Sequence, residues 1–407
     1  MINNSSPIFL VPSRRFGRTE IDMPVLSLGG MRFQESWEDV PPEKIKLINQ
    51  QNLENIIKKA YKSGLRHIET ARHYGSSERQ LGWAFQKFKD SDRLIQTKVP
   101  PSEDPEEFES QLELSFQRLK CKKIDLLSIH GINLPKHLDF TLRKGGCIDV
   151  VRKWQVQKKI SHVGFSTHGT LDLILEAIKS DQFDYVNLHW YFINQENAAA
   201  IDLASKYDLG VFIISPTDKG GHLHTPSNKL LELCDPFHPI VFNDLFCLKD
   251  KRVHTISVGM SNPKDLDLHI QAVKLIEKAD SILPPIEKKL WSAAENSLTS
   301  EWLKSWHIGL PSWQNTPGEM NIKTLLWLYN LLVAWGMEDY AKARYGLLGK
   351  AGHWFPGNNA DALDKNITEK ELIDALNNSP WQKTIPKVLR ELRRRVGGDT
   401  RKRLWST

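Results

Sequence analysis

Short apolar runs rich in Val, Ile and Leu alternate along the first 280 residues with longer segments in which apolar side chains recur three and four positions apart. The short runs are typical of buried strands, and the longer segments are typical of amphipathic helices. Consecutive runs begin about 25–45 residues apart, the size of a strand followed by a crossover helix. The predicted strands are Pro24–Leu28, His67–Thr70, Leu94–Lys98, Ile124–Ile129, His162–Ser166, Tyr185–Trp190, Val211–Ser215 and Thr255–Gly259.

Eight strands that alternate with helices match the count of a (β/α)8 barrel. The structural alternative is a doubly wound open sheet, which usually carries a G-x-G-x-x-G turn after its first strand. The corresponding turn here reads Leu28-Gly29-Gly30-Met31 and does not fit that pattern. The sequence therefore predicts the α/β class, with a (β/α)8 TIM barrel in residues 1–280.

The pattern after residue 280 is different. Nine of the 13 tryptophans follow residue 290, and apolar positions there have helical spacing. Pro284-Pro285 is the predicted boundary. A Thr and a Glu three positions apart, Thr368 and Glu371, form a capping box that predicts a helix start. We expect residues 281–407 to form a helical C-terminal domain, with helices at 286–298, 321–337 and 368–377.

The formal net charge of +6 is concentrated in this C-terminal part. Residues 281–407 hold 18 Lys and Arg against 13 Asp and Glu, largely because of the basic segments 390–395 and 401–403. Such segments can bind nucleic acid or anionic membranes, but a solvated basic helix end is the favoured interpretation. We therefore expect no nucleic-acid partner. The sequence carries no signal for an oligomeric state.

Cysteine usage and the chain start predict a cytoplasmic protein. Cys121, Cys147, Cys234 and Cys247 are far apart, with neither a disulfide framework nor the spacing of a metal site. We therefore expect a reducing compartment and no bound metal. The N-terminus has no Lys or Arg ahead of a sustained apolar run, so no secretory signal is expected. The longest apolar stretch, 325–337, is too short to span a bilayer.

Reactive side chains occur where three successive predicted strands end. Glu69 and Tyr74 follow the second strand, Lys98 ends the third and His130 ends the fourth. Strand ends of a parallel barrel converge on one face, where barrel enzymes carry out their chemistry. A phenol can donate a proton, and a nearby ammonium group lowers its pKa from about 10. With a carboxylate to orient the lysine and an imidazole to bind a carbonyl oxygen, the set suits carbonyl reduction by a hydride-carrying cofactor.

The order of these motifs resembles the aldo-keto reductase family over residues 12–280. The segment 15–20 resembles the family's opening hairpin, and 24–31 resembles its first strand. Ile68–Gly75 resembles its F-D-T-A-x-x-Y-G motif, and 96–98 and 128–130 resemble the strands that supply its lysine and histidine. The resemblance implies an NAD(P)H-dependent oxidoreductase that reduces small aldehydes or ketones. The implied roles are general acid for Tyr74, pKa partner for Lys98, the carboxylate for Glu69 and carbonyl orientation for His130.

The resemblance also implies a nicotinamide cofactor, NADPH with NADH as the alternative. Three positions depart from the family pattern: Glu69 replaces an aspartate, Asn187 replaces a glutamine, and Asp265 stands where an arginine is common. The aspartate would repel a 2′-phosphate, which Lys264 would partly offset. The implied cofactor-binding residues are Ser166, Asn187, Ser215, Pro216, Lys219, Gly259, Ser261, Asn262 and Lys264.

The C-terminal third resembles, over 305–322, 325–329 and 343–347, an extension that ends some of these reductases in a ferredoxin-like iron–sulfur domain. No cysteine follows Cys247, so a thiolate-ligated cluster cannot form there. We expect a degenerate, helical domain without an iron–sulfur cluster.

Two other functions remain open at this point. The barrel could have kept its nucleotide pocket while acting as a regulatory or interaction protein with weak or absent catalysis, since Glu69 and the cofactor positions have changed. Alternatively, Lys98 could form a Schiff base in a lyase. Loops 33–40, 132–144 and 218–225 are expected to form the substrate pocket, and loop chemistry varies freely on one scaffold.

Overall fold

The computed structural model describes residues 9–88, 92–350, 355–364 and 367–398. The basic segment 401–403 and the first eight residues, on which the expectation about a secretory signal depends, lie outside these ranges. The chain divides into two compact units, one formed by residues 1–220 and 243–279 and the other by 221–242 and 280–407. That 281–407 folds as a domain of its own stays a prediction.

The first unit contains a closed barrel of eight parallel strands joined in the order β10-β3-β4-β5-β6-β7-β8-β9. This confirms the predicted (β/α)8 TIM barrel. A short antiparallel hairpin precedes it, and Pro24 ends the hairpin strand β2 instead of beginning the first barrel strand. The strands are β1 (Ser13–Arg15), β2 (Asp22–Pro24), β3 (Leu26–Gly29), β4 (His67–Glu69), β5 (Leu94–Val99), β6 (Ile124–His130), β7 (Ile160–Ser166), β8 (Tyr185–Leu188), β9 (Gly210–Ile213) and β10 (Thr255–Gly259).

The barrel helices bury stripes of apolar side chains against the strands. In the segment 105–119, Phe108, Leu112 and Leu119 are completely buried at spacings of four and seven. Each contributes about 1.5–3 kcal/mol through burial. The helices up to residue 274 are α1 (Leu47–Lys62), α2 (Ser77–Lys87), α3 (Pro105–Leu119), α4 (Pro135–Leu142), α5 (Cys147–Val156), α6 (Leu171–Lys179), α7 (Ala198–Lys206), α8 (Asn228–Cys234), α9 (Pro239–Lys249) and α10 (Leu266–Lys274).

The hairpin closes the end of the barrel where the strands begin. Phe16, between β1 and β2, is completely buried with its ring centroid 5.6 Å from that of Tyr185. A Cβ on Gly210 would lie 2.6 Å from the Phe16 ring, so this contact requires glycine at the start of β9. The opposite end, where the strands finish, carries the residues predicted to be functional.

Helices form most of the second unit. The capping box predicted at Thr368 and Glu371 is confirmed, because each side chain accepts a hydrogen bond from the other residue's backbone N–H. Pro284 and Pro285, the predicted boundary, lie inside a helix and not in a linker. The helix begins at Ala279 and continues through both prolines, whose fixed φ is compatible with a helix although two backbone donors are lost. The helices are α11 (Ala279–Leu298), α12 (Ser300–Ser305), α13 (Ile322–Trp335), α14 (Glu338–Tyr345), α15 (Glu369–Ala375) and α16 (Ile385–Val396).

The basic segment 390–395 lies in α16, and acidic side chains of the same unit pair with it. Arg390 is 2.9 Å from Glu369, and Arg393 is 3.5 Å from Asp361. Much of the charge that suggested an anionic partner is therefore balanced within the unit. Within the described residues, no helix is both long enough and apolar enough to cross a membrane.

Candidate active site

Strand register brings the predicted residues to the same end of the barrel. Glu69 pairs with Gln96 across β4 and β5. His130 pairs with Ser166 across β6 and β7, and Ser166 pairs with Asn187 across β7 and β8. Because the strands are parallel, these residues lie next to one another where the strands end.

A buried ion pair forms the base of the site. Lys98 and Glu69 are 1% and 3% exposed, and the Lys98 ammonium contacts Glu69 Oε2. Lys98 Nζ also donates to the carbonyl oxygen of Thr70 at 2.9 Å, and Ser257 Oγ donates to Glu69 Oε1 at 2.9 Å. A Cβ on Gly29 would lie 2.6 Å from Ser257 Oγ, so glycine gives the longer glutamate and its serine partner room. The glutamate therefore reaches the lysine despite its extra methylene.

Tyr74 and His130 lie over this ion pair, and both are half-buried. Lys98 Nζ is 4.9 Å from the centroid of the Tyr74 ring. The Tyr74 and His130 rings meet edge to face, with centroids 5.7 Å apart and planes at 83°. The structure thus brings together the phenol, the ammonium and the imidazole that the sequence placed at three strand ends.

The electrostatics of Tyr74 differ from the expectation. Burial raises the pKa of Tyr74 well above its ordinary value of 10.0, and the negative charge of Glu69 raises it further. The predicted lowering of this pKa by Lys98 is therefore wrong for this structure, because Glu69 neutralises the lysine and the phenol is desolvated. Burial also lowers the pKa of His130 well below 6.5, and the charges of Lys98, His73 and Lys219 add to that effect. His130 is consequently neutral at physiological pH and offers one N–H donor.

The turn that carries Tyr74 is held by a buried guanidinium. Arg72 is 5% exposed, and its backbone N–H donates to the carbonyl oxygen of Lys98 at 2.8 Å. Its side chain forms ion pairs with Glu78 and, at 2.5 Å, with Asp39 of the loop after β3. Thr97 Oγ1 donates to Glu78 at 2.6 Å. These contacts tie the turn to β5 and to α2.

The loop after β3 packs directly on this turn. Gly75 has φ 51°, and a Cβ there would lie 2.0 Å from the carbonyl oxygen of Ser36. The Trp37 ring contacts the Tyr74 ring edge to face at 6.3 Å. The Ser76 hydroxyl, just before α2, donates to Gln80 Oε1 at 2.8 Å and accepts from the backbone N–H of Ser36 at 3.3 Å, which ties this loop to the start of the helix.

Beside His130 lies a buried amide with an unused donor. Asn187 is completely buried, and its Oδ1 accepts from Gln96 Nε2 at 3.4 Å. Its Nδ2 has no hydrogen-bond partner among the described residues. A buried donor in that state costs about 1–3 kcal/mol unless a ligand satisfies it. Together with the hydroxyl of Ser166, which accepts from the Gly131 backbone at 3.1 Å, this donor fits a carboxamide ligand such as nicotinamide.

The loop after β9 contributes Ser215, Pro216 and Lys219. Ser215 has φ 55°, a strained value for serine that is commonly kept for function. Pro216 presents its carbonyl oxygen to Asn243 Nδ2 at 3.0 Å. Lys219 Nζ lies 3.3 Å from His189 Nε2 and 3.4 Å from His168 Nε2. Of the remaining predicted cofactor residues, Gly259 ends β10, and Ser261, Asn262 and Lys264 lie together in the turn after it.

Several residues of the site were absent from the sequence prediction. Strand periodicity could have indicated Gln96 and Ser257, which lie two positions before Lys98 and Gly259 on their strands and so share a face with them. His168 and His189 lie beyond the ends of β7 and β8, and only the fold brings them to Lys219. Arg32 packs its aliphatic chain on Gly259 and has no sequence signal of its own.

A sequence model of the aldo/keto reductase family matches residues 25–236, more than half of the chain. The chain belongs to this family. Among solved structures, an aldo-keto reductase from Bacillus halodurans in its holo form is 16% identical with a TM-score of 0.54, the match covering 68% of this chain and 97% of that one. A protein from Pseudomonas aeruginosa described as an aldo-keto reductase is 20% identical with a TM-score of 0.53, covering 68% and 99%. At these identities the structures support the fold alone. None of the curated proteins compared by sequence matches the chain.

Family membership makes the protein an oxidoreductase of the type that acts on small carbonyl compounds. The catalytic and cofactor-binding assignments for individual residues are proposals, and the geometry above is what supports them.

Proposed function

We propose that the protein reduces aldehydes or ketones to alcohols, with Tyr74 as the proton donor. A bound nicotinamide dinucleotide would supply the hydride to the carbonyl carbon. The observation that carries the proposal is the cluster in which Lys98 Nζ and the His130 ring lie 4.9 Å and 5.7 Å from the Tyr74 ring centroid.

Each side chain has a defined part in the proton transfer. Tyr74, whose pKa is raised, keeps its proton at physiological pH and donates it to the carbonyl oxygen as negative charge develops there. Neutral His130 donates a hydrogen bond to the same oxygen, which stabilises that charge. The phenolate left by the transfer would lie beside the Lys98 ammonium, and Glu69 keeps that ammonium oriented.

The cofactor assignment rests on the residues beside His130. Asn187 Nδ2 and the Ser166 hydroxyl would hold the nicotinamide carboxamide, which would satisfy the buried amide donor. The loop of Ser215, Pro216 and Lys219 would bind the phosphates, since it offers a cationic side chain at the end of the seventh barrel strand. The family resemblance favours NADPH, with NADH as the alternative.

The test incubates the purified full-length protein with NADPH or NADH and each of a panel of aldehydes and ketones. Oxidation of the reduced nicotinamide is monitored as a loss of its absorbance. Tyr74→Phe removes only the hydroxyl, so we expect turnover to fall by about 10²–10⁴-fold while dinucleotide binding persists. Tyr207→Phe is the matched control, because Tyr207 directly follows α7 and lies just before the start of β9, at the opposite end of the barrel. If the wild-type protein binds a dinucleotide but none of the carbonyl compounds leads to its oxidation, that result would contradict the enzyme assignment and favour a binding role.

A further inference from the structure

We propose that the protein prefers NADH to NADPH, because Asp265 occupies the position that the additional phosphate of NADPH would take. The inference rests on the proposed function and concerns one part of the same site, the turn after β10. This turn comprises residues 260–265.

Barrel enzymes commonly bind phosphate groups with the loops after their seventh and eighth strands, next to the N-terminus of a short helix. Here β10 is the eighth barrel strand, and the 3₁₀ helix Pro263–Asp265 leads from it into α10. Backbone N–H groups in such a turn have no partner within the helix and therefore bind anions. The turn after β10 is accordingly where the fold offers a site for a second phosphate.

In this chain an internal carboxylate already uses those donors. Asp265 Oδ2 accepts hydrogen bonds from the backbone N–H of Ser261 at 2.8 Å, from Ser261 Oγ at 3.0 Å and from the backbone N–H of Asn262 at 3.2 Å. Asp265 Oδ1 accepts from Asn262 Nδ2 at 2.6 Å. A phosphate at this turn would have to displace the carboxylate from four hydrogen bonds.

Other contacts hold the turn in this arrangement. Asn262 Oδ1 accepts from the backbone N–H of Lys264 at 2.9 Å, and Asn52 Nδ2 donates to the carbonyl oxygen of Ser261 at 2.7 Å. Because the side chains of Asn262 and Asp265 close a reciprocal capping box, moving Asp265 would also uncap the helix.

The charges near the turn also oppose binding of the additional phosphate of NADPH. A phosphate monoester carries about −1.5 to −2 charges at neutral pH, and it would meet the negative charge of Asp265. Two cations are within reach: Arg32, whose Nη2 lies 3.4 Å from Ser261 Oγ, and Lys264, which makes no ion pair in the ranges that the structure describes. Both are exposed, and exposed ion pairs contribute little in water. They do not replace the aligned donors that Asp265 uses.

NADH lacks that phosphate and instead presents a ribose hydroxyl. A hydroxyl can donate to the Asp265 carboxylate without displacing it, which is how acidic side chains recognise the ribose of NAD in dinucleotide-binding folds. The same aspartate is therefore compatible with one dinucleotide and opposes the other.

The test measures the dissociation constants of NADH and NADPH for the full-length protein by titration calorimetry, without any carbonyl substrate. We expect NADH to bind about tenfold or more tightly than NADPH, the size typical of one like-charge contact. Asp265→Asn removes the charge and should bring the two constants together. Asp267→Asn, an equal charge change two residues away at an exposed side chain paired with Lys59, should leave their ratio unchanged.

The wild-type ratio decides the inference without any variant, so a poorly folded Asp265→Asn protein would not leave it untested. Equal affinities, or tighter binding of NADPH, would overturn the preference while leaving the proposed function intact. Binding of neither dinucleotide would overturn both.

Discussion

The proposed catalytic cluster of Glu69, Tyr74, Lys98 and His130 and the turn after β10 lie on one barrel, but their polar groups are satisfied in different ways. The cluster rests on a buried ion pair whose two members are at most 3% exposed. The turn is largely exposed and satisfies its own hydrogen-bond donors through Asp265. The cluster therefore holds a proton donor, Tyr74, for a ligand, whereas the donors of the turn already bind a carboxylate of the protein itself, that of Asp265.

The two regions also respond differently to departures from the family pattern. In the cluster, Glu69 stands where the family resemblance implies an aspartate, yet its carboxylate contacts Lys98, and Gly29 leaves room for the longer side chain. In the turn, Asp265 stands where the family resemblance implies an arginine, so the local charge has the opposite sign. Under the two proposals, the reaction depends on which atoms meet, while the choice of dinucleotide depends on the sign of one half-buried charge, that of Asp265.

The two regions should differ most in how much stability and turnover they lose when one lysine is removed from each. Lys98→Met leaves Glu69 buried without its counter-ion, which costs about 3–5 kcal/mol of folding free energy. We also expect a loss of turnover of about 100-fold or more, because the ammonium would no longer stabilise the phenolate. Lys264→Met, at an exposed side chain, should change stability by less than about 0.5 kcal/mol. Thermal or urea unfolding measures both.

A double variant separates chemistry from folding in this comparison. Lys98→Met combined with Glu69→Met removes both charges, and replacing a buried pair by apolar side chains is often neutral for stability. Restored stability with turnover still lost would support a chemical role for Lys98. Turnover that returns with stability would show that the lysine serves the fold alone.

The raised pKa of Tyr74 predicts an unusual pH profile. Reduction needs the protonated phenol, so kcat/KM falls as pH rises through the pKa of Tyr74, and that fall should lie above pH 10.0. Burial, the main cause of the raised pKa of Tyr74, is unchanged in Glu69→Gln. The variant removes the Glu69 charge, which raises this pKa further, and leaves the Lys98 charge unpaired, and both changes favour the phenolate. The fall should therefore move to lower pH by about one unit or more. Glu69→Asp keeps the charge and is the control; an unshifted profile in Glu69→Gln would refute this electrostatic account.

The sequence predicted the barrel and the convergence of Tyr74, Lys98 and His130, because strand periodicity and motif order determine which residues end adjacent strands. It misjudged the pKa of Tyr74, since that value depends on how closely Glu69 approaches Lys98 and on how deeply the ring is covered. It also identified the charge of Asp265 but not its hydrogen bonds, which depend on turn geometry. The contact of His168 and His189 with Lys219 joins three separate loops, and no local pattern encodes it.

The smallest expected effect concerns Asn187, whose strand β8 lies between the two regions in the barrel order. We expect its side chain to lower the stability of the fold while strengthening dinucleotide binding. Its Nδ2 is a buried donor without a partner among the described residues, whereas Gln96 Nε2, the donor to its Oδ1, retains Ser128 Oγ at 3.0 Å. Asn187→Leu, which preserves the side-chain volume, should therefore leave the melting temperature unchanged or raise it. The same change should weaken dinucleotide binding by about tenfold, equivalent to about 1.4 kcal/mol, because the carboxamide loses its donor. Effects of opposite sign on stability and affinity would indicate an amide kept for a ligand; a loss of both would mean that Asn187 serves the barrel interior.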